Sequence, residues 1–261
     1  MTTESSSILR QERDGAVLIL TMNYPERRNA LSLPLRAALA EALGAAMTDR
    51  DIRAIVLAGA EGNFSSGGDI SSMEGVTGVG GRERLSNVHR LIRLLVAGEK
   101  PVIAAVEGYA YGAGLSLAAA CDIVVAARDA RFACSFNRIG LMPDLGAAWT
   151  LPLRMGLGRA KHIMLRGQAF GAEEAERWGL AEVLCEPGRA LAEAVAIGQE
   201  LAAVSPLSNG YTKALLARMP RDLEEMLRAE ADAQALLFTS ADFDEGRRAF
   251  LDKRKPAFRG A

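Results

Sequence analysis

The chain of 261 residues predicts an α/β fold, on three observations. Its strand-forming segments are continuous apolar runs rather than alternating ones, the pattern of strands covered on both faces. Between them lie segments with apolar residues at helical spacing. Beyond about residue 157 the composition turns almost wholly helical.

In order, "AVLILTMN" (16–23) is a β-rich run stopped by Pro25. "LSLPLRAALAEALGAAM" (31–47) follows, with Leu35, Leu39, Leu43 and Met47 four apart, one stripe of an amphipathic helix. Ser32 is its predicted N-cap, and Pro34 sits in its first turn. "IRAIVLAG" (52–59) is a second strand, running into the loop "AEGNFSSGGDISSM". A helix fits 85–97, with Val88, Leu91, Ile92 and Leu95 on one face, while 71–84 is too irregular to assign. "PVIAAVEG" (101–108), "CDIVVAAR" (121–128) and "LAEVL" (180–184) are further strands, and "YGAGLSLAAA" (111–120) is a turn and a helix. Four later segments, "AEEAERWG", "ALAEAVAIGQELAAV", "NGYTKALLARM" and "LEEMLRAEADAQALLF", read as helices.

A composition 49% hydrophobic and 24% charged supports a large core, and a net charge of -1 gives no electrostatic case for nucleic acid or an anionic membrane. Apolar runs break well short of a membrane span. No basic stretch with an apolar core opens the chain, so no secretory signal is expected. Cys121, Cys134 and Cys185 form no CxxC and read as buried free thiols of a protein in the reducing cytoplasm. No metal-ligand spacing occurs.

Two glycine loops each leave a strand, "SSGGDI" (65–70) and "GYAYGAGLSL" (108–117). Taken alone they are tight turns, or two sets of backbone N–H groups able to converge on one carbonyl oxygen. They lack the GxxxxGK[ST] and GxGxxG spacings of nucleotide loops. "FNRIGLMPDLGAAW" (136–149) carries one acid, Asp144, in an apolar, glycine-punctuated stretch. Such a carboxylate is either the N-cap of a helix starting near Leu145 or an acid/base tuned by desolvation.

"NYPERRNALS", "FSSGGDI", "KPVIAAVEGYAYGAGLSLAAACDIVVAARDARF", "RIGLMPDLG" and "FLDKRKPAF" occur in this order, and together they resemble the crotonase (enoyl-CoA hydratase/isomerase) family from about Val17 to Phe258. The resemblance implies a ClpP-like spiral of β-β-α repeats. It also implies a core with a coenzyme A site over 1–200, a helical trimerisation region over 201–261, and a homotrimer or dimer of trimers. Its substrate would be an acyl-CoA thioester, with coenzyme A part of the substrate and no separate cofactor. The thioester oxygen would be held by the N–H groups of Gly68 and Ala113. Coenzyme A would lie along Ala30, Asp69 and Ile70. Arg27 and Arg28 are phosphate partners or an exposed basic turn, and Lys255 is a phosphate contact or part of a solvated charge run.

Within the family, hydratases use two glutamates to activate water. The matching positions here hold Ser116 and Phe136, so two-carboxylate hydration is weakened. Asp144 stands where single-acid isomerases of the family carry their acid/base, and "RIGLMPDLG" resembles the ring-opening isomerases of phenylacetate catabolism. Phe136, Met142, Trp149 and Ser116 would line the acyl pocket. His89 keeps open an aromatic acyl-CoA dehalogenase, in which Asp144 attacks and His89 activates water, although a histidine on a polar helix edge is commonly only that. A non-catalytic CoA-binding protein of the same fold is the remaining alternative.

Overall fold

The structure is a computed structural model, and it describes residues 7–218 and 222–261. Six strands form the main sheet: β1 (Leu9–Asp14), β2 (Val17–Met22), β3 (Ala54–Gly59), β4 (Val102–Val106), β6 (Ile123–Ala127) and β9 (Val183–Cys185), in the order β1-β2-β3-β4-β6-β9. Within this sheet β1 and β2 pair antiparallel and every later neighbour is parallel. A smaller sheet joins β5 (Tyr109–Tyr111), β7 (Arg131–Ala133) and β8 (Ala169–Gly171).

The continuous apolar runs bury both faces of the main sheet. Along β3, Ile55 and Leu57 face a core shared with α1 (Leu33–Thr48) and α2 (Gly78–Ala97). Ala54, Val56 and Ala58 face a second core under α7 (Ala190–Ala202). This period of two inside an unbroken apolar run is what a doubly covered strand requires. Gly198 lets α7 lie close, since a Cβ there would stand 3.0 Å from Val17 Cγ1.

The chain repeats one unit: a strand in the main sheet, a strand or bridge in the second layer, then a helix. β4, β5 and α3 (Ala113–Ala120) make one unit; β3, the Ser65↔Ala110 bridge and α2 make another. β6 and β7 lead to a short 3-10 turn and α4 (Ala147–Met155). α5 (Leu157–Arg166), α6 (Ala172–Arg177) and α8 (Pro206–Leu216) follow, and α9 (Leu223–Phe238) and α10 (Ala241–Leu251) finish the chain.

Ser32 caps α1, its side chain accepting from the Leu35 amide at 3.4 Å. The elements depart from the sequence reading at several points. α2 begins at Gly78, inside the stretch left unassigned, because Thr77 caps it through the Gly80 amide at 3.2 Å. Its first turns carry Gly78, Gly80 and Gly81 and no apolar stripe, so periodicity could not find them. β1 was invisible because only its first residue is buried. Asp144 is not an N-cap: α4 starts after Gly146, which makes no side-chain cap. All three cysteines are buried and unpaired, and burial pushes their thiols up to about 12, 12 and 11 for Cys121, Cys134 and Cys185. No single helix among the described residues is long and apolar enough to cross a membrane.

Candidate active site

The two glycine loops pack backbone to backbone. A Cβ at Gly114 would stand 2.5 Å from the Ser65 carbonyl oxygen. One at Gly67 would stand 2.9 Å from the Tyr111 oxygen and 3.7 Å from the Ala113 nitrogen. Gly67 at φ +112 and Gly112 at φ +50 occupy backbone regions that side chains avoid. Asn29 rivets the first loop in place. Fully buried, it donates to the carbonyls of Ala60 at 2.9 Å and Asn63 at 2.6 Å and accepts from the Tyr24 amide at 2.9 Å. Ser65 Oγ then donates to the Asn29 carbonyl at 2.8 Å and accepts from the Gly67 amide at 3.2 Å.

Gly68 and Ala113 N–H have no protein acceptor among the described residues. For Ala113 this follows from its place as the first residue of α3, where no preceding turn supplies a carbonyl. Its φ is negative, so alanine fits. Both residues line one cavity of about 140 Å³, with Arg36, Phe136, Arg138, Leu141 and Asp144 among its other walls.

Asp144 enters that cavity on a strained turn. Leu145 has φ +52 and Gly146 φ +76, and the Leu145 side chain is buried in the core. A non-glycine residue in the left-handed region costs about 1 kcal/mol or more. Gly146 packs on α2, where a Cβ would stand 3.1 Å from Ile92 Cγ2. Asp144 Oδ1 is the one fully buried side-chain polar atom without a hydrogen-bond partner among the described residues. Burial pushes its carboxyl above the usual range, and the Arg36 and His89 charges oppose that rise. A carboxylate in this state can take and return a proton.

The other expected residues are spread more widely. Phe136 lines the cavity with Gly68, Ala113 and Asp144. Ser116 does not: it is buried in α3, its hydroxyl donating back to the Gly112 carbonyl at 3.2 Å. Met142 is exposed, and Trp149 borders a separate hollow with Lys213 and Arg154. His89 is exposed on α2, near enough to act electrostatically on Asp144 but outside the cavity wall.

Ile70 is exposed at the cavity rim, and the Asp69 carboxylate accepts from the Ser71 amide at 3.2 Å, capping a short 3-10 turn. Ala30 is buried beside Asn29. Arg27 and Arg28 are exposed, Arg28 lying 5.5 Å over the Tyr109 ring. Lys255 is exposed beyond α10. Arg36 was missed by sequence reading. It flanks a leucine stripe on a helix, where arginine commonly marks the polar edge, and only the fold turns it inward.

Residues 12–261 match the family described as enoyl-CoA hydratase/isomerase. The 1,2-epoxyphenylacetyl-CoA isomerase of Escherichia coli is 38% identical over 95% of this chain and 96% of its own. The crotonyl-CoA hydratase of Syntrophomonas wolfei is 32% identical over 95% of this chain and 96% of its own. The crystal structure of an enoyl-CoA hydratase from a Polaromonas species superposes with a TM-score of 0.92 at 34% identity, over 96% of this chain and 99% of that one.

Proposed function

The chain belongs to the enoyl-CoA hydratase/isomerase family and has the crotonase fold; within that family we propose that it shifts the double bond of an enoyl-CoA with Asp144 as its only acid/base. The observation that carries this reading is Asp144, one of its carboxylate oxygens buried and unpartnered, lining the cavity that also holds the free Gly68 and Ala113 amides. Ionised Asp144 removes a proton from one carbon of the acyl group. The two N–H groups hold the negative charge that moves onto the thioester oxygen. Protonated Asp144 then returns the proton to a second carbon, so no water is consumed. Phe136 and Ser116 supply no second carboxylate. Coenzyme A runs along Ala30, Asp69 and Ile70 in this reading, its phosphates near Arg27, Arg28 and, from the C-terminal segment, Lys255.

The hydratase names among relatives favour a second reading, hydration of a 2-enoyl-CoA. Turnover of matched 2-enoyl and 3-enoyl-CoAs separates the two. The isomerase reading expects efficient use of the 3-enoyl substrate and poor hydration of crotonyl-CoA. Hydration near 10²–10³ per second, typical of efficient enzymes, would reject it.

A further inference from the structure

We propose that Arg36 is an acyl-recognition residue, and that the acyl group this cavity accepts carries an acceptor oxygen, a carboxylate most strongly. The proposal rests on the reading of the cavity as an acyl-CoA site and names the class of acyl group within it.

Arg36 is 7% exposed on α1. Its Nε donates to the Leu31 carbonyl at 2.8 Å. Leu31 in turn bridges to Gly68 and donates to the Gly67 carbonyl at 2.7 Å, so the arginine is fixed to the backbone that presents one of the two free amides. Nη2 lies 3.5 Å from where a Gly68 Cβ would stand. Neither terminal nitrogen donates to a protein acceptor, and no carboxylate lies within 4.0 Å of the guanidinium, among the described residues. Asp144 and Asp69 attract it from farther off, and Arg84 repels it. Arg84 is itself committed, donating to the Ser72 carbonyl at 2.9 Å and hydroxyl at 3.0 Å. Arg36 and Arg138 line the cavity against the single acid Asp144, which leaves its wall with excess positive charge.

A guanidinium carries five N–H donors, and four here are unused by protein. Before an acyl group binds, only water is left to satisfy them. A plain hydrocarbon chain would displace that water and replace none of its hydrogen bonds, which is the costly case. An acyl group with an oxygen at this wall restores them, and a carboxylate also neutralises the charge in a bidentate pair.

The test is the affinity of saturated CoA esters, which cannot isomerise, measured by calorimetry. Succinyl-CoA offers a carboxylate, 3-hydroxybutyryl-CoA a neutral oxygen, and butyryl-CoA neither. The wild type should bind them in that order, with succinyl-CoA at least about tenfold tighter than butyryl-CoA, the ratio of one charge-assisted hydrogen bond. Arg36→Met should collapse the ratio toward one, and Arg36→Lys should keep part of it. If butyryl-CoA binds the wild type within twofold of both others, the proposal is wrong, whatever the variants do. A ratio unchanged in folded Arg36→Met, with only the pH profile of turnover moved, also overturns it and leaves Arg36 a servant of Asp144. Because binding is read without turnover, loss of the isomerase reading would show separately, as intact discrimination with no double-bond shift.

Discussion

Asp144 shows how one residue can be legible in type and ambiguous in role. Its isolation among apolar neighbours was plain in the sequence; whether it capped a helix depended on two φ angles, at Leu145 and Gly146, that no spacing records. The shift in its acidity has a testable sign. Its folded pKa stands above the ordinary 3.8, so below that value both folded and unfolded chains hold the proton and its contribution to stability is fully present. The contribution is lost as pH rises through the folded pKa. Asp144→Asn should therefore melt no lower than wild type at neutral pH, and its advantage should shrink as pH falls toward 4; a variant less stable at pH 7 would contradict the burial account. The rate should fall in acid with a midpoint above the ordinary carboxylate range, since the base must be ionised. Arg36 marks the opposite limit, because its inward orientation exists only in the fold.

At the scale of elements, the sequence revealed what periodicity and glycine reveal. Strands β2, β3, β4 and β6 and the leucine face of α1 were readable because each carries an apolar run of five or six residues or a stripe repeated every four. The three-residue strands β5, β7 and β8 are too short for any pattern, yet β5 fixes the turn that aims Ala113. The contact between the glycine loops makes a prediction. A Cβ at Gly114 meets the Ser65 carbonyl at 2.5 Å with its own backbone on the other side, so the loops must separate. Gly114→Ala should cost about 1–3 kcal/mol, as overpacking does, and lower turnover further than its loss of folded protein explains. A denaturant melt together with the rate at full folding checks this. Normal activity in the folded variant would mean that the loop contact does not set the position of the amides. Gly68→Pro removes one donor outright and should reduce turnover about 10²-fold or more while CoA binding survives.

The whole molecule is joined by polar ties as well as by its two cores. Lys213 on α8, 8% exposed, donates to Asp122 at 2.6 Å and to the Lys100 carbonyl at 2.8 Å, pinning the C-terminal helices to the end of the main sheet. Burial raises the Asp122 carboxyl even against its cationic partners, so the lysine is what makes its charge tolerable. Lys213→Met should destabilise the chain by about 3 kcal/mol, the low end for breaking such a pair because Asp122 keeps some solvent. α9 buries none of its residues within the chain and exposes Leu223, Leu227, Leu236 and Phe238, with Phe250 and Leu251 exposed on α10. This much uncovered apolar surface suits the homotrimer or dimer of trimers that the resemblance implies, for which light scattering should give three or six times 27.8 kDa. A monomer at micromolar concentration would contradict it. The helical character of this region was plain in its composition, but what covers it was not, because a helix face facing a partner chain reads like one facing a core.

Whether Asp144 alone moves the proton is decided by the turnover of a 3-enoyl-CoA by Asp144→Asn. The substitution keeps size and shape and removes the carboxylate's charge together with its ability to take up a proton. The variant should fold, bind the substrate and isomerise it at least about 10²-fold more slowly. Isomerisation at the wild-type rate would contradict this role of Asp144.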